Sequence, residues 1–259
     1  GELPVPRPRT DTEDEDLPPV KNLLRACYFG GSPDWERLAR VLEFSARQHC
    51  VGWDIDVRRI SAPPSSRERS SVKVNNTHKL DWWTEQVEAA ADGDRLLLVD
   101  TDTMILGPLE DAWAEEFDFG YTVKDGPYPF NAGVVFLRVS DRLRTFVRLW
   151  RDENRKMFAD SAYHRPWFMR FAGMNQAALG KLLSESVAES VGVTLGRLPC
   201  AIWNCENETW RAFQEGTTRV VHLKDGLRAA ALLVGDEAAR RMRLTPIVQI
   251  WRALERAAR

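Results

Sequence analysis

The feature that most constrains this chain is the apolar run Leu96–Val99, which two aspartates follow at once. Four apolar residues after the turn-prone stretch 92–94 predict a short strand that is covered on both faces. Because side chains two residues apart in extended chain point the same way, the carboxylates of Asp100 and Asp102 are expected on one side of the strand's carboxyl end. Open α/β sheets bind their ligands at that edge.

The two carboxylates predict a positively charged partner. At a separation of about 4–5 Å they repel each other by roughly 3–4 kcal/mol in an effective dielectric near 20, and an apolar strand offers little water to relieve this. Closely spaced oxygen ligands suit Mg²⁺ or Mn²⁺, which complete their coordination with phosphates and water. On this hypothesis, Asp102→Asn leaves the metal-free stability similar or higher. The alternative is that Asp100 and Asp102 are turn or capping residues that bind nothing.

Length and charge exclude some functions. A chain of 259 residues with 44% hydrophobic content can form one large domain or two small ones, and a net charge of −2 argues against bulk attraction to nucleic acid or membranes. No apolar run approaches the roughly 20 residues that span a bilayer. The four cysteines lack zinc-type spacing and predict reduced, buried thiols in a cytoplasmic protein. The chain begins at Gly1, and this expectation does not extend to segments upstream.

The order of the predicted elements is that of a nucleotide-binding α/β domain. Residues 1–19 are rich in proline and acidic residues and predict a solvated tail. Strands are predicted over 23–29, 53–57, 96–99, 118–122, 131–138, 198–204 and 218–223. Helices are predicted over 33–48, 79–91, 141–158 and from 173, with a basic amphipathic helix over 246–259 and a mobile loop over 61–76.

Five short motifs then follow one another. They are Asp100-Thr-Asp102, Phe130-Asn-Ala-Gly-Val-Val-Phe136, Met174-Asn-Gln176, Leu198-Pro-x-x-x-Trp-Asn204 and Val221-His-Leu-Lys224. In this order they resemble nucleotide-sugar glycosyltransferases of the GT-A fold, most closely the retaining family 8 of glycogenin and lipopolysaccharide galactosyltransferases. The resemblance implies an α/β, Rossmann-like, mostly parallel central sheet flanked by helices in a single domain. That domain would span 20–228, with a C-terminal helical extension over 229–259.

The resemblance implies a metal site. Asp100, Asp102 and His222 would hold Mn²⁺ or Mg²⁺, and Thr101 would contact the donor. A bound dication stabilises the negative charge that forms on a leaving diphosphate. Taken alone, His222 is more often an ordinary core or surface histidine.

The resemblance also implies how the donor is bound. Asn131 would hydrogen-bond the sugar hydroxyls, Gly133 would keep the backbone close to the sugar, and Lys79 would touch the diphosphate or the sugar. The residues expected to receive uracil and ribose are Tyr28, Phe29 and Gly30. The alternatives are a turn asparagine, a surface lysine and core aromatic residues.

Asn175 and Gln176 stand where this family commonly has Asp-Gln, near the anomeric carbon. A glutamine has no basicity for conventional nucleophilic catalysis, which favours a front-face mechanism where the leaving diphosphate helps to deprotonate the acceptor. The asparagine weakens any role that needs charge at position 175. The alternative is a helix-opening pair with no catalytic part.

The last motif departs from the family pattern of His-x-x-Gly-x-x-Lys before Pro-Trp. Gly226, the expected donor-binding glycine, comes one residue late, and no Pro-Trp follows. Either Lys224 or Arg228 could neutralise the diphosphate, and Lys224 is nearer the strand end.

The resemblance thus implies an enzyme that moves a hexose from a nucleotide diphosphate sugar, a UDP-sugar by preference, to a hydroxyl acceptor with retention. The segment 163–170 mixes basic and aromatic residues and is the predicted acceptor side. Four tryptophans are candidates for lining a carbohydrate groove, and the alternative is that they fill the core: Trp82, Trp83, Trp167 and Trp203. The alternatives are a nucleotide-sugar-binding module without turnover and a glycosyltransferase that acts on a nucleic-acid base.

Overall fold

The computed structural model describes residues 19–30, 32–61, 71–232 and 245–259, so nearly all of the predicted tail lies outside it. The strands are β1 (Asn22–Phe29), β2 (Asp54–Ile60), β3 (Arg95–Val99), β4 (Thr103–Ile105), β5 (Phe119–Val123), β6 (Phe130–Arg138), β7 (Leu195–Pro199) and β8 (Val220–His222). The helices are α1 (Pro33–His49), α2 (Ser71–Ala89), α3 (Asp141–Ala159), α4 (Ser161–Phe171), α5 (Asn175–Ser184), α6 (Val187–Ser190), α7 (Cys200–Trp203), α8 (Asp225–Leu232) and α9 (Thr245–Ala257).

Six strands form the central sheet in the order β2-β1-β3-β6-β5-β7. Only β6 is antiparallel to its neighbours β3 and β5, and the other pairs are parallel. The carboxyl ends of β1, β3 and β5 therefore meet at one edge of the sheet. The predicted α/β fold with a mostly parallel central sheet flanked by helices is confirmed.

The predicted strand Leu96–Val99 lies inside this sheet and is fully buried. Leu96 and Leu98 pack on the side of α2 and α3, whereas Leu97 and Val99 pack on the side of α1. Burying one leucine contributes roughly 1.5–3 kcal/mol, so residues on both faces hold this strand in place. The aspartates that follow it are therefore anchored to a fully buried strand.

Helix α1 begins as its sequence predicts. Ser32 accepts a hydrogen bond from the Asp34 backbone N–H (3.3 Å), and Pro33 occupies the first turn, where its missing N–H costs nothing. Ser45, on the buried face, accepts a hydrogen bond from the Ile105 N–H (3.1 Å). Helix α1 therefore fixes the position of β4.

Strands β4 and β8 form a separate two-stranded antiparallel sheet in which Thr103 pairs with His222. Met104 and Val221 are buried in an apolar cluster with Leu227 of α8 and Trp251 of α9. This small sheet places a histidine from late in the chain beside the aspartates that follow β3.

Two sequence predictions are wrong in part. The strand predicted over 198–204 stops at Pro199, and α7 follows, because Pro199 has no N–H for a strand ladder and its φ of −66° suits the start of a helical turn. The loop predicted over 61–76 is helical from residue 71, and 62–70 lie outside the described residues. Val74 and Thr77 are buried against the core, and this packing outweighs their weak helix propensity.

The four cysteines are buried free thiols, as the sequence predicts. Within the described ranges, the structure has no helix long and apolar enough to cross a membrane.

Candidate active site

A tight turn carries the two aspartates from β3 to β4. The Thr101 hydroxyl donates to the Cys27 carbonyl (2.7 Å), and the Thr103 hydroxyl donates to the Asp100 carbonyl (2.8 Å). The Leu223 N–H donates to the Asp102 carbonyl (2.6 Å). The carboxylates thus converge because of this turn, and the extended chain predicted over 100–102 is wrong.

His222 of β8 faces both carboxylates. Its Nε2 lies 3.3 Å from Oδ1 of Asp102 and 3.7 Å from Oδ2 of Asp100. One ligand atom from each of the three residues lies within 4.8 Å of the others, a grouping that could hold a metal ion. Two carboxylate oxygens and one imidazole nitrogen form a donor set suited to Mn²⁺ or Mg²⁺.

Asn204, to which the sequence assigned no role, orients this histidine. Its Oδ1 accepts a hydrogen bond from Nδ1 of His222 (3.1 Å), and its Nδ2 donates to the Thr122 hydroxyl (2.8 Å). Because an amide oxygen can only accept, Nδ1 carries the proton and Nε2 is left facing the carboxylates. The only signal in the sequence was the place of Asn204 at the end of the fourth motif.

Gly133 of β6 makes room for the cluster. A Cβ at this position would lie 2.4 Å from Cε1 of His222 and 2.7 Å from Oδ2 of Asp100. Any larger residue would therefore push the histidine and the carboxylate out of place. Asn131 is buried beside it, and its Oδ1 accepts a hydrogen bond from the Gly133 N–H (2.7 Å).

The positive charge that the sequence seemed to lack comes from distant parts of the chain. Lys79 of α2 forms an ion pair with Oδ1 of Asp100, and Arg228 of α8 forms one with Oδ2 of Asp102 (2.9 Å). Each cation also lies over an aromatic ring, Lys79 over Trp83 (4.6 Å) and Arg228 over Trp35 (5.3 Å). The sequence predicts a positively charged partner for the aspartates, but it does not indicate that Lys79 and Arg228 supply part of that charge, because these contacts span 21 and 126 residues.

The cluster shifts the pKa values of its own members. Burial opposes ionisation of Asp102, but His222 and Arg228 outweigh it and lower the pKa of the carboxyl below its ordinary value. Burial likewise disfavours the charged form of His222, but Asp102 and then Asp100 raise its pKa above the ordinary value. A proton on Nε2 would therefore compete with a metal ion for this nitrogen.

Asn175 and Gln176 open α5 beside β6. The Gln176 amide bridges two elements, since its Nε2 donates to the Phe171 carbonyl and its Oε1 accepts from the Ala132 N–H (3.2 Å). Asn175 is buried, and within the described part of the chain neither polar atom of its side chain has a hydrogen-bond partner. Position 175 thus offers a free donor and a free acceptor.

The structure places the other predicted residues around this cluster. Tyr28, Phe29 and Gly30 are half-buried at the end of β1, next to the turn that Thr101 attaches to that strand. Lys224 follows His222, and its N–H donates to the His222 carbonyl (2.8 Å). Gly226 lies in α8, whereas the left-handed backbone at the start of this helix belongs to Asp225 (φ 47°).

Three of the four candidate groove tryptophans belong to the core. Trp82, Trp83 and Trp203 are buried, and the ring of Trp203 meets Phe136 edge to face. Only Trp167 is half-buried, stacked on Phe171 of the same helix. The prediction that these residues stack on a sugar is wrong for the buried three.

Several solved glycosyltransferases share this fold. One is involved in the glycosylation of the major capsid of PBCV-1: it is 13% identical, the TM-score is 0.55, and the match covers 87% of this chain and 100% of that one. Another is the galactosyltransferase LgtC in complex with donor and acceptor sugar analogs, at 13% identity and TM-score 0.55, over 91% of this chain and 95% of that one. The glycosyltransferase GlyE of Streptococcus pneumoniae TIGR4 matches at 10% identity and TM-score 0.57, over 91% of this chain and 60% of that one.

No family model matches the sequence, and no curated protein does. At these identities the comparisons show the fold, and they confirm the predicted resemblance to GT-A glycosyltransferases at that level.

Proposed function

We propose that this chain is a metal-dependent glycosyltransferase that moves a hexose from a nucleotide diphosphate sugar, a UDP-hexose by preference, to a hydroxyl acceptor with retention. The observation that carries the proposal is the convergence of Asp100, Asp102 and His222 at the ligand-binding edge of a glycosyltransferase fold. The space left by Gly133 and the orientation of His222 by Asn204 favour a metal site over a structural turn.

In this proposal Asp100, Asp102 and His222 would hold Mn²⁺ or Mg²⁺. When bound, the ion stabilises the negative charge that develops on the leaving diphosphate. Lys79 and Arg228 add positive charge on either side of the same place, where they lie close to the carboxylates. The diphosphate is therefore expected above the aspartates, with the nucleoside toward the end of β1.

The sugar is proposed to lie between β6 and the start of α5. Gly133 gives room to His222 and Asp100, whose atoms take the place of its missing Cβ, and Asn131 and Asn175 supply amide groups for the hydroxyls of the sugar. The unpaired buried amide of Asn175 supports this, because a buried polar group without a partner costs about 1–3 kcal/mol unless a ligand satisfies it.

The side chain of Gln176 favours a front-face route to retention. Its amide is not basic, and both of its ends are already hydrogen-bonded to the backbone. The acceptor oxygen is therefore proposed to attack the anomeric carbon on the face that the diphosphate leaves. The bond from carbon to diphosphate breaks as the new bond forms, and the acceptor proton passes to a diphosphate oxygen.

The test is an assay of nucleoside diphosphate release. We incubate the protein with Mn²⁺ and each of a panel of nucleotide sugars, with and without simple sugar acceptors. The free nucleoside diphosphate is then measured. We expect metal-dependent release from a UDP-sugar and a loss of at least about 100-fold in Asp102→Asn. Asp152→Asn, an exposed carboxylate on α3, is the matched control and should behave as the wild type. Metal-independent release, or an active Asp102→Asn, would contradict the proposal.

A nucleotide-sugar-binding module without turnover is the second candidate. Asn175, at a position where the resembled family commonly has aspartate, is the observation that favours it. Tight binding of UDP with Mn²⁺ and no release from any donor would establish this alternative.

A further inference from the structure

The two aspartates divide their oxygens between two kinds of partner. The inner oxygens, Oδ2 of Asp100 and Oδ1 of Asp102, face Nε2 of His222. The outer oxygens, Oδ1 of Asp100 and Oδ2 of Asp102, are held by Lys79 and Arg228. The two cations thus lie outside the position proposed for the metal, and a metal ion does not have to displace them.

Both cations are fixed before any ligand arrives. The Lys79 side chain is only 12% exposed and is packed over Trp83. Arg228 is 34% exposed, and Trp35 of α1 holds its guanidinium from the side. An aromatic face attracts a cation that is partly shielded from water, so each charge stays near its carboxylate.

The charges of these four side chains cancel. A dication alone therefore enters a site with no net negative charge to attract it, and it leaves a surplus of two positive charges. The diphosphate of a nucleotide sugar carries two negative charges and that of free UDP carries at least two, so either ligand balances that surplus. At short range and partly out of water, such an imbalance changes binding constants by factors of ten or more.

We infer that Lys79 and Arg228 make metal and diphosphate bind as a coupled pair, so that the site discriminates against the free metal ion. This rests on the proposed function and adds to it a selectivity set by Arg228. Removing the Arg228 charge should strengthen the binding of metal alone, and it should reduce the increase in metal affinity that bound nucleotide causes. A residue that only stabilised the fold would weaken both.

Calorimetry and electron paramagnetic resonance of Mn²⁺ test this in the wild type and in Arg228→Met. In the wild type, saturating UDP should lower the Kd for Mn²⁺ by about 100-fold, within the usual range of coupling between sites. Arg228→Met should bind Mn²⁺ alone about tenfold more tightly, and the effect of UDP should shrink about tenfold. Lys79→Met should likewise lower the Kd for Mn²⁺ alone and reduce the factor by which UDP lowers that Kd.

Two controls separate charge from structure. Arg228→Lys keeps the charge and should retain most of the coupling. Arg211→Met removes an exposed arginine that lies over Trp210, and it should leave both values unchanged.

Two results would overturn the inference and leave the proposed function intact. One is that Mn²⁺ and UDP bind independently in the wild type. The other is that the Kd values of Arg228→Met for Mn²⁺, with and without UDP, match those of the wild type. A wild type that binds neither ligand, alone or together, would overturn both.

Discussion

The six-stranded sheet is held by apolar contacts on both faces, whereas the small sheet of β4 and β8, which also packs in an apolar cluster, carries a histidine that hydrogen bonds and ion pairs hold. In the large sheet Leu96–Val99 and most of β6 are buried among hydrophobic side chains. In the small one His222 is held by Asn204 and by carboxylates that pair with Lys79 and Arg228. The large sheet supplies a rigid edge, and the small sheet supplies the polar atoms that stand on it. Stability and ligand binding should therefore respond to different substitutions.

Leu97→Ala tests the large sheet and has the largest expected effect on stability. Removing a fully buried leucine side chain should lower the free energy of unfolding by about 3–5 kcal/mol, because the packed strand cannot close the cavity. Chemical denaturation measures this loss. Manganese titration of the remaining folded protein should give the wild-type Kd, and a weaker Kd would show that the two regions are not separate.

Asp102→Asn now has an expected stability effect opposite to that suggested by the sequence. The carboxylate is buried and paired with Arg228 and His222, so its neutralisation leaves two partners without their charge. We expect a loss of about 1–3 kcal/mol in metal-free stability. Thermal unfolding without metal measures this loss. An unchanged or higher Tm would instead support the prediction from the sequence that relieving the repulsion between Asp100 and Asp102 does not destabilise the protein.

Gly133→Ala tests the place where the two sheets meet. The added Cβ would lie within 3 Å of His222 and Asp100, and hydrogen bonds hold the histidine so that it cannot move away freely. We expect Mn²⁺ affinity in the presence of UDP to fall by about 10–100-fold, as displaced metal ligands do. Unchanged affinity would mean that the ligand atoms tolerate movement and that Gly133 has another role.

Asn204→Ala tests the small sheet alone. Loss of the Oδ1 acceptor leaves the His222 ring free to rotate or to change tautomer, so Mn²⁺ affinity should fall by about tenfold. Asn204→Asp keeps the acceptor oxygen, so it should retain most of the wild-type Mn²⁺ affinity. Equal losses in the two variants would show that Asn204 acts by packing and does not orient the histidine.

The smallest expected effect is the change of Mn²⁺ affinity with pH. Asp102 and Asp100 raise the pKa of His222, so a proton competes with metal at Nε2 and Mn²⁺ affinity should fall as the pH decreases through that value. In the metal-free protein the same shift stabilises the fold fully below about pH 6.5 and is lost as the pH rises through the raised pKa. His222→Gln should abolish the pH dependence of metal binding near neutrality.

The same contrast explains what could be predicted from the sequence. Strands β3 and β6 are continuous apolar runs, and their pattern is local, so both were predicted. Strand β4 has three residues and follows the aspartates without a break, and α7 interrupts a predicted strand. The pairing of Asp102 with Arg228 joins positions 126 residues apart, which no local pattern encodes. Asp100 and Asp102 are candidate metal ligands from their spacing after a buried strand, and His222 is one from the resemblance, whereas Asn204 and the two neutralising ion pairs needed coordinates.

The account's central claim is that two aspartates and a histidine anchor a metal ion and a diphosphate at the sheet edge. Calorimetry of UDP binding, with and without Mn²⁺, tests it most directly in the wild type and in Asp102→Asn. We predict heat of binding for UDP with Mn²⁺ in the wild type, and affinity at least about 100-fold weaker in the variant. No binding by the wild type, or equal affinity in both proteins, would contradict the claim.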